Sequence, residues 1–260
     1  IFREVSMLGS ANFVVVSFIL FAAQSASNDL KLCGQGSGQA ALDACNALIS
    51  SGQLHNHDLA AAYVFRAYNY NRLGDLVAAL IDYTHALVAD PTYYVALNNR
   101  CAVYNAKQDY EKAVKDCEKA IELKPESPQP YIGRANAYRY LNKIDYAIED
   151  YKHAIELNGS IAEAYFGRAL AYAQKGTLDS AIEDYSSLIR LTPNDVIGLN
   201  NRGVLFDKLK KYPHAISDFK AALQVQPDYE RALVNLCLTY RLSKDLDSAL
   251  ATERAIASCN

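Results

Sequence analysis

The chain has 260 residues, a formal net charge of −3 and no basic stripe, which argues against nucleic acid as a partner. Removing Arg3 and Glu4 with an N-terminal leader leaves that charge unchanged. Six cysteines form an even set, so complete pairing and buried free thiols both remain open from the count alone.

Residues 12–23 are apolar apart from Asn12 and Ser17, with Arg3 upstream and small residues around Ala23 and Ser25. The stretch is short for a membrane span. It predicts a secretory signal peptide over 1–25, cleaved near Ser25, with an uncleaved anchor as the alternative. Cleavage leaves an exported product without a membrane span. Residues 26–59 then form a Cys-bearing segment. Cys33 and Cys45 flank a loop containing Gly34, Gly36 and Gly38, flexible enough for the two thiols to meet. Residues 40–49 read as the second helix of a degenerate leading half repeat, and 50–57 as a loop.

From Ala60 onward one spacing dominates. Tyr83, Cys117, Tyr151, Tyr185, Phe219 and Glu253 stand 34 positions apart. Such a period marks a stacked helical-hairpin solenoid. Within 128–161, Tyr131, Ala135 and Tyr138 share one helix face. Asn142 marks a turn where neighbouring units carry Gly74 and Gly176. Ile144, Ala147, Tyr151 and Ala154 line a second helix. Pro91, Pro125, Pro193 and Pro227 close four units, and Gly159 closes a fifth less rigidly. Alanines at 79, 113, 147, 181, 215 and 249 allow close helix approach beside Tyr70, Tyr104, Tyr138, Tyr172 and Phe206. Six units result: 60–93, 94–127, 128–161, 162–195, 196–229 and 230–260.

Tyr165, Ala169, Tyr172, Gly176, Ala181, Tyr185, Leu188 and Pro193 together resemble the tetratricopeptide repeat. The first position is Tyr or Leu (Tyr63, Leu97, Tyr131, Tyr165, Leu199, Leu233) and never Trp. The resemblance implies an all-α, right-handed superhelical solenoid of helix-turn-helix hairpins. It also implies a non-catalytic protein-binding scaffold similar to exported, periplasmic repeat proteins of Gram-negative bacteria. In that fold Cys101 and Cys117 occupy facing positions of one hairpin, which makes a disulfide between them sensible; Cys237 and Cys259 are less clearly opposed.

A second pair follows the same period. Arg66, Arg100, Arg134, Arg168 and Arg202 are each followed sixteen residues later by Asp82, Asp116, Asp150, Asp184 and Asp218. Aspartate is a poor interior helix residue, so five of them mid-helix require partners. A structural Arg–Asp ladder is the expectation, with an anion-binding row in the groove as the rival. The last unit has Leu236 and Thr252 instead.

No nucleophile–base set, phosphate loop or zinc spacing stands out, so neither a cofactor nor catalysis is expected. The glycines near Cys33 follow no strand, which defeats a dinucleotide reading. His55 and His57 read as solvated loop residues rather than metal ligands. His85 and His153 share one repeat position and read as scaffold.

In the resembled fold the first helices line a concave groove for a peptide or folded protein partner. The candidate contacts are Phe65, Tyr68, Asn98, Asn99, Ile132, Asn136, Phe166, Leu170, Asn200, Asn201, Val204 and Asn235. The groove mixes apolar side chains with asparagines able to bond an extended backbone. Family members that capture a C-terminal carboxylate use a lysine where Val64, Asn98, Ile132, Phe166, Asn200 and Val234 stand here. That function is therefore not carried over, and an uncharged, partly apolar peptide or a folded partner is the expectation. The alternative is a subunit of an envelope assembly, or a self-associating array, acting through its convex face.

Overall fold

The computed structural model describes residues 31–34, 36, 38–245 and 248. The expected leader at 1–25, and Ala249, Thr252, Glu253 and Cys259 of the final unit, lie outside the described residues. A helical turn at 31–34 precedes twelve longer helices, and no strand occurs among the described residues. The fold is an all-α helical-repeat solenoid.

Two compact units divide at Lys124 and Pro125. The first holds α1 (Gly38–Ser50), α2 (Asn56–Arg72), α3 (Leu76–Ala89), α4 (Tyr94–Ala106) and α5 (Tyr110–Leu123). The second holds α6 (Pro128–Tyr140), α7 (Ile144–Leu157), α8 (Ala162–Lys175), α9 (Leu178–Leu191), α10 (Val196–Lys208), α11 (Tyr212–Val225) and α12 (Glu230–Leu242). In the first unit α2 with α3 and α4 with α5 form hairpins; α1 packs on α2, and α3 on α4. In the second, α6/α7, α8/α9 and α10/α11 are hairpins, and each second helix packs on the next first helix.

Each first helix ends by the same device. The backbone N–H groups of Asp75, Asp109, Lys143, Thr177, Lys211 and Asp245 donate back to the carbonyls of Tyr70, Tyr104, Tyr138, Tyr172, Phe206 and Tyr240. This six-to-one closure demands a left-handed residue just before the donor. Gly74, Gln108, Asn142, Gly176, Lys210 and Lys244 supply it, with φ between 57° and 88°. Glycine is not required where hairpin packing imposes the conformation. Gln108 and Lys210 adopt it against their intrinsic preference.

The hairpins close on the small-and-large pattern. Ala79, Ala181 and Ala215 are fully buried, one turn before Tyr83, Tyr185 and Phe219. Tyr83 clusters with Ala60, Val64 and Ala67 of α2 and with Ala96 and Val103 of α4, so one ring joins three helices. Phe219 does the same with Leu236, Cys237 and Tyr240 of α12. Burying a ring of this size contributes about 2 kcal/mol. A Cβ at Gly203 would lie 2.6 Å from Phe219, and glycine there gives the ring its space.

Every ladder arginine grips its aspartate with two bonds. Arg66 Nε and Nη2 donate to Asp82 at 2.7 Å each. The pairs Arg100–Asp116, Arg134–Asp150, Arg168–Asp184 and Arg202–Asp218 repeat this fork at 2.6–2.8 Å. The five aspartates are 2–7% exposed. Three of the arginines also reach the preceding second helix: Arg66 Nη1 to Asn46, Arg100 Nη1 to Thr84 and Arg202 Nη1 to Ser186. Each fork occupies both carboxylate oxygens and the Nε and Nη2 of its arginine, as a structural Arg–Asp pair requires. In the last repeat Leu236 takes the arginine position and packs into the apolar cluster instead.

Two disulfides lie in the first unit, Cys33–Cys45 and Cys101–Cys117, the latter joining α4 to α5. Cys237 is buried in α12.

Removing one member of a buried fork strands the other. Asp184→Ala is expected to lower the unfolding free energy by about 3 kcal/mol in urea titrations, whereas Arg168→Met with Asp184→Leu recovers most of the loss. For the disulfide that closes sixteen residues, the Cys101→Ala, Cys117→Ala double variant should lose about 3 kcal/mol in the same assay.

Candidate functional site

The face built from first helices is where polar side chains break the packing pattern. Tyrosines on the second helices reach toward it, and each hydroxyl finds an amide. Tyr185 OH accepts from Asn201 Nδ2 of α10 at 3.2 Å. Asn99 of α4 stands within hydrogen-bonding reach of the Tyr83 hydroxyl at the equivalent position. Both asparagines stand sixteen residues after their tyrosine, on the next first helix.

Tyr151 differs because that position is Gly167. A Cβ at Gly167 would fall 2.4 Å from the Tyr151 ring, so the ring lies directly over the α8 backbone. No side chain waits for its hydroxyl on α8. The hydroxyl donates instead to Asn136 Oδ1 of α6, within its own hairpin, at 2.5 Å. Arg139 lies within hydrogen-bonding reach of the same hydroxyl, and its charge and that contact both oppose the rise that burial causes.

Burial pushes the Tyr83 and Tyr185 phenols up to about 12, with the asparagine bonds pulling the other way. Burial raises Tyr151 further still, against the opposing Arg139 charge. A phenol with a raised folded-state value holds its proton more firmly folded than unfolded. Its stabilisation is complete below about pH 10, the unfolded value, and disappears as pH climbs through the folded one.

The expected contact residues divide into three groups. Phe65 packs with Cys33, Cys45, Leu48 and Leu54, and Gly34 lies against its ring. The disulfide-bound leading segment therefore covers it. Ile132 and Asn200 are each only 4% exposed, with Asn200 Oδ1 accepting from Asn235 Nδ2 at 2.9 Å. Ile132 and Asn200 are packed rather than presented, and Phe65 is partly covered. Asn98 donates to Asn99, and Asn99, Asn136 and Asn201 hold the tyrosine hydroxyls. Tyr68 is exposed on α2 with Arg72 above its ring. On the second unit's first-helix face, Phe166, Leu170 and Val204 are partly buried.

Leu242, Arg139 and Tyr140 lie outside the sequence expectation for this face, whereas Val234 and Leu238 stand at first-helix positions expected to face the groove. Val234, Leu238 and Leu242 form an exposed apolar stripe along α12. Arg139 and Tyr140 stack at the end of α6, guanidinium carbon 4.3 Å from the ring centroid. A signal for Arg139 was available: sixteen residues later stands Ile155, so this arginine falls outside the Arg–Asp period.

His57 Nδ1 lies 2.9 Å from Asp90 Oδ2, within the scaffold of the first repeat. No group of three or more His, Cys, Asp or Glu suited to a metal occurs among the described residues. An open depression of about 400 Å³ on α4 and α5 mixes Lys112, Lys115 and Lys119 with Glu118 and Glu122. With Arg100 and Asp116 included, four cationic groups stand among three carboxylates, so both signs are interspersed and no strong single-sign field results.

Family models described as tetratricopeptide repeat match residues 94–127, 132–196 and 196–229, together just over half of the chain. The chain belongs to the tetratricopeptide repeat family. A 66-residue stretch is 39% identical to sperm-associated antigen 1 of Mus musculus, covering 25% of this chain and 7% of that relative. Among solved structures it is similar to a tetratricopeptide repeat protein from Parabacteroides merdae, with TM-score 0.68, 21% identity and 90% and 93% of the two chains covered. PilW, a widely conserved type IV pilus biogenesis factor, gives TM-score 0.70 at 16% identity, covering 77% and 93%. YrrB, a repeat protein with an unusual peptide-binding site, gives TM-score 0.58 at 24% identity, covering 74% and 97%. The family makes the chain a protein-interaction scaffold in general terms. No helix among the described residues is long and apolar enough to cross a membrane.

Alkaline titration reads the tyrosine row directly. Stability is expected to fall between pH 10 and 12, by about 1.4 kcal/mol per pH unit for each buried phenol. Phenolate absorbance should show a late-titrating set that Tyr83→Phe, Tyr151→Phe and Tyr185→Phe reduce one by one.

Proposed function

We propose that the chain is a non-catalytic scaffold that holds an extended peptide or a peptide-like segment of a protein on the first-helix face of its second unit. The observation that carries this reading is the combination on α6, α8, α10 and α12. Exposed Val234, Leu238 and Leu242 and partly buried Phe166, Leu170 and Val204 offer apolar contacts between tyrosine–asparagine pairs. An extended chain needs both kinds of contact, amides for its backbone and apolar recesses for alternate side chains. The peptide-binding site attributed to YrrB lends support at the level of fold. The domain plan goes with it: a leader at 1–25, a Cys-bearing lead-in at 26–59 and six binding repeats from Ala60. Two disulfides suit an oxidising compartment, which supports export, with the periplasm as the preferred location.

A second reading rests on a different surface. Val77, Ile81 and Val88 form an exposed apolar stripe along α3, 51–77% exposed, and such a stripe suits an assembly subunit. PilW, a biogenesis factor for an assembled fibre, is the comparable case.

The two readings separate experimentally. Screening a random peptide library against the intact chain should yield binders whose affinity falls roughly tenfold or more in Leu238→Asp and Phe166→Asp, at unchanged helicity. Binders indifferent to both substitutions remove the first-helix face from consideration. Concentration-dependent mass in sedimentation, abolished by Ile81→Asp, favours the assembly reading.

A further inference from the structure

The second unit holds an arginine that touches the Tyr151 hydroxyl but has no carboxylate partner among the described residues. Arg134, Arg168 and Arg202 each end in a two-bond fork on a buried aspartate. Arg139 makes no ion pair among the described residues. Its guanidinium lies on the Tyr140 ring at 4.3 Å, and its Nε is buried without an acceptor. The nearby backbone offsets only part of the charge, since Arg139 sits in the last turn of α6, where the helix dipole is favourable but weak. Glu163 of α8 acts electrostatically on the same Tyr151 hydroxyl as Arg139, yet forms no ion pair with it. A partly desolvated, uncompensated guanidinium costs free energy unless an anion completes it.

A second donor stands beside it. Asn136 precedes Arg139 by three residues, which puts both on one face of α6. Its Oδ1 is occupied by the Tyr151 hydroxyl, and this fixes the amide with its Nδ2 turned away from that bond. Asn136 Nδ2 has no acceptor among the described residues. The two groups together offer donors of the kind that a carboxylate accepts in pairs. Phe166 and Leu170 of α8 lie on the adjoining first helix, ready for an apolar neighbour of the acidic residue.

We infer that Arg139 and Asn136 form a carboxylate subsite, and that the peptide held on this face presents an aspartate or glutamate side chain there. The inference rests on the peptide-binding reading and specifies the chemistry of the peptide. An acidic side chain is preferred because an extended peptide points alternate side chains at a helical face.

The test uses the intact chain and three immobilised pools of octapeptides. One pool contains Asp and Glu at random positions with amidated C-termini. The second replaces these by Asn and Gln, and the third is the second with free C-terminal carboxylates. Wild type should be retained on the order of tenfold better by the acidic pool than by its amide counterpart, the ratio falling as salt is raised. Arg139→Gln should abolish the ratio without lowering the unfolding midpoint; Arg139→Lys should keep part of it, having charge without the fork. Glu163→Gln should increase it by removing a competing carboxylate. Equal retention by the acidic and amide pools overturns the subsite and leaves the peptide reading standing. An acidic preference that survives Arg139→Gln overturns the assignment to Arg139. Preference for the free C-terminus pool alone overturns the side-chain assignment, and retention by none of the pools overturns the peptide reading as well.

Discussion

An aspartate buried in the middle of a second helix is the constraint around which each hairpin is arranged. It has no place in a helix interior unless both oxygens are bonded, and one arginine fork on the partner helix meets that need. The fork fixes the angle and register of the two helices together, because two parallel bonds fail if either helix slides. Where Arg66, Arg100 and Arg202 extend a third bond to the preceding second helix, the same group ties a hairpin to its neighbour. Alanine spacing and aromatic filling then complete the contact. The apolar core supplies most of the stabilisation, and the fork supplies uniqueness of register.

Against that regular frame, the functional character of the chain comes from its departures. Position by position, the residue facing each second-helix tyrosine is Asn99, Gly167 or Asn201. Asparagine donates to the hydroxyl across the hairpin boundary, as Asn201 does to Tyr185; glycine lets the ring through and the hydroxyl donates back to Asn136. Replacing a carboxamide side chain by hydrogen at one position thus re-aims a polar group by a full helix. It also orients Asn136 beside Arg139, the arginine that the period leaves without an aspartate. Surface chemistry here is a consequence of packing at a single small residue.

The leading segment shows the same coupling at the other end. Phe65 occupies a position expected to face a ligand, yet the loop bound by Cys33–Cys45 lies on its ring. A short disulfide-bound segment acts as the first layer that a terminal repeat needs, since one hairpin cannot bury its apolar stripe alone. At Leu236 the array changes in the opposite sense, with an apolar residue replacing the arginine and entering the core.

Much of the architecture was legible from residue order. A period of 34, alternating alanine and aromatic positions and the sixteen-residue Arg–Asp interval depend on helix geometry, which repeats wherever the residues repeat. Turns at Gly74, Asn142 and Gly176 were readable for the same reason. Those at Gln108 and Lys210 were not, because tertiary packing overrode their local preference. Which face residues remain available was decided by the fold alone: Ile132 and Asn200 are buried, Phe65 is partly covered by the lead-in, and Leu238 is covered by nothing among the described residues. Helical periodicity places a side chain on a face, whereas its exposure and hydrogen bonds depend on what another part of the chain sets beside it.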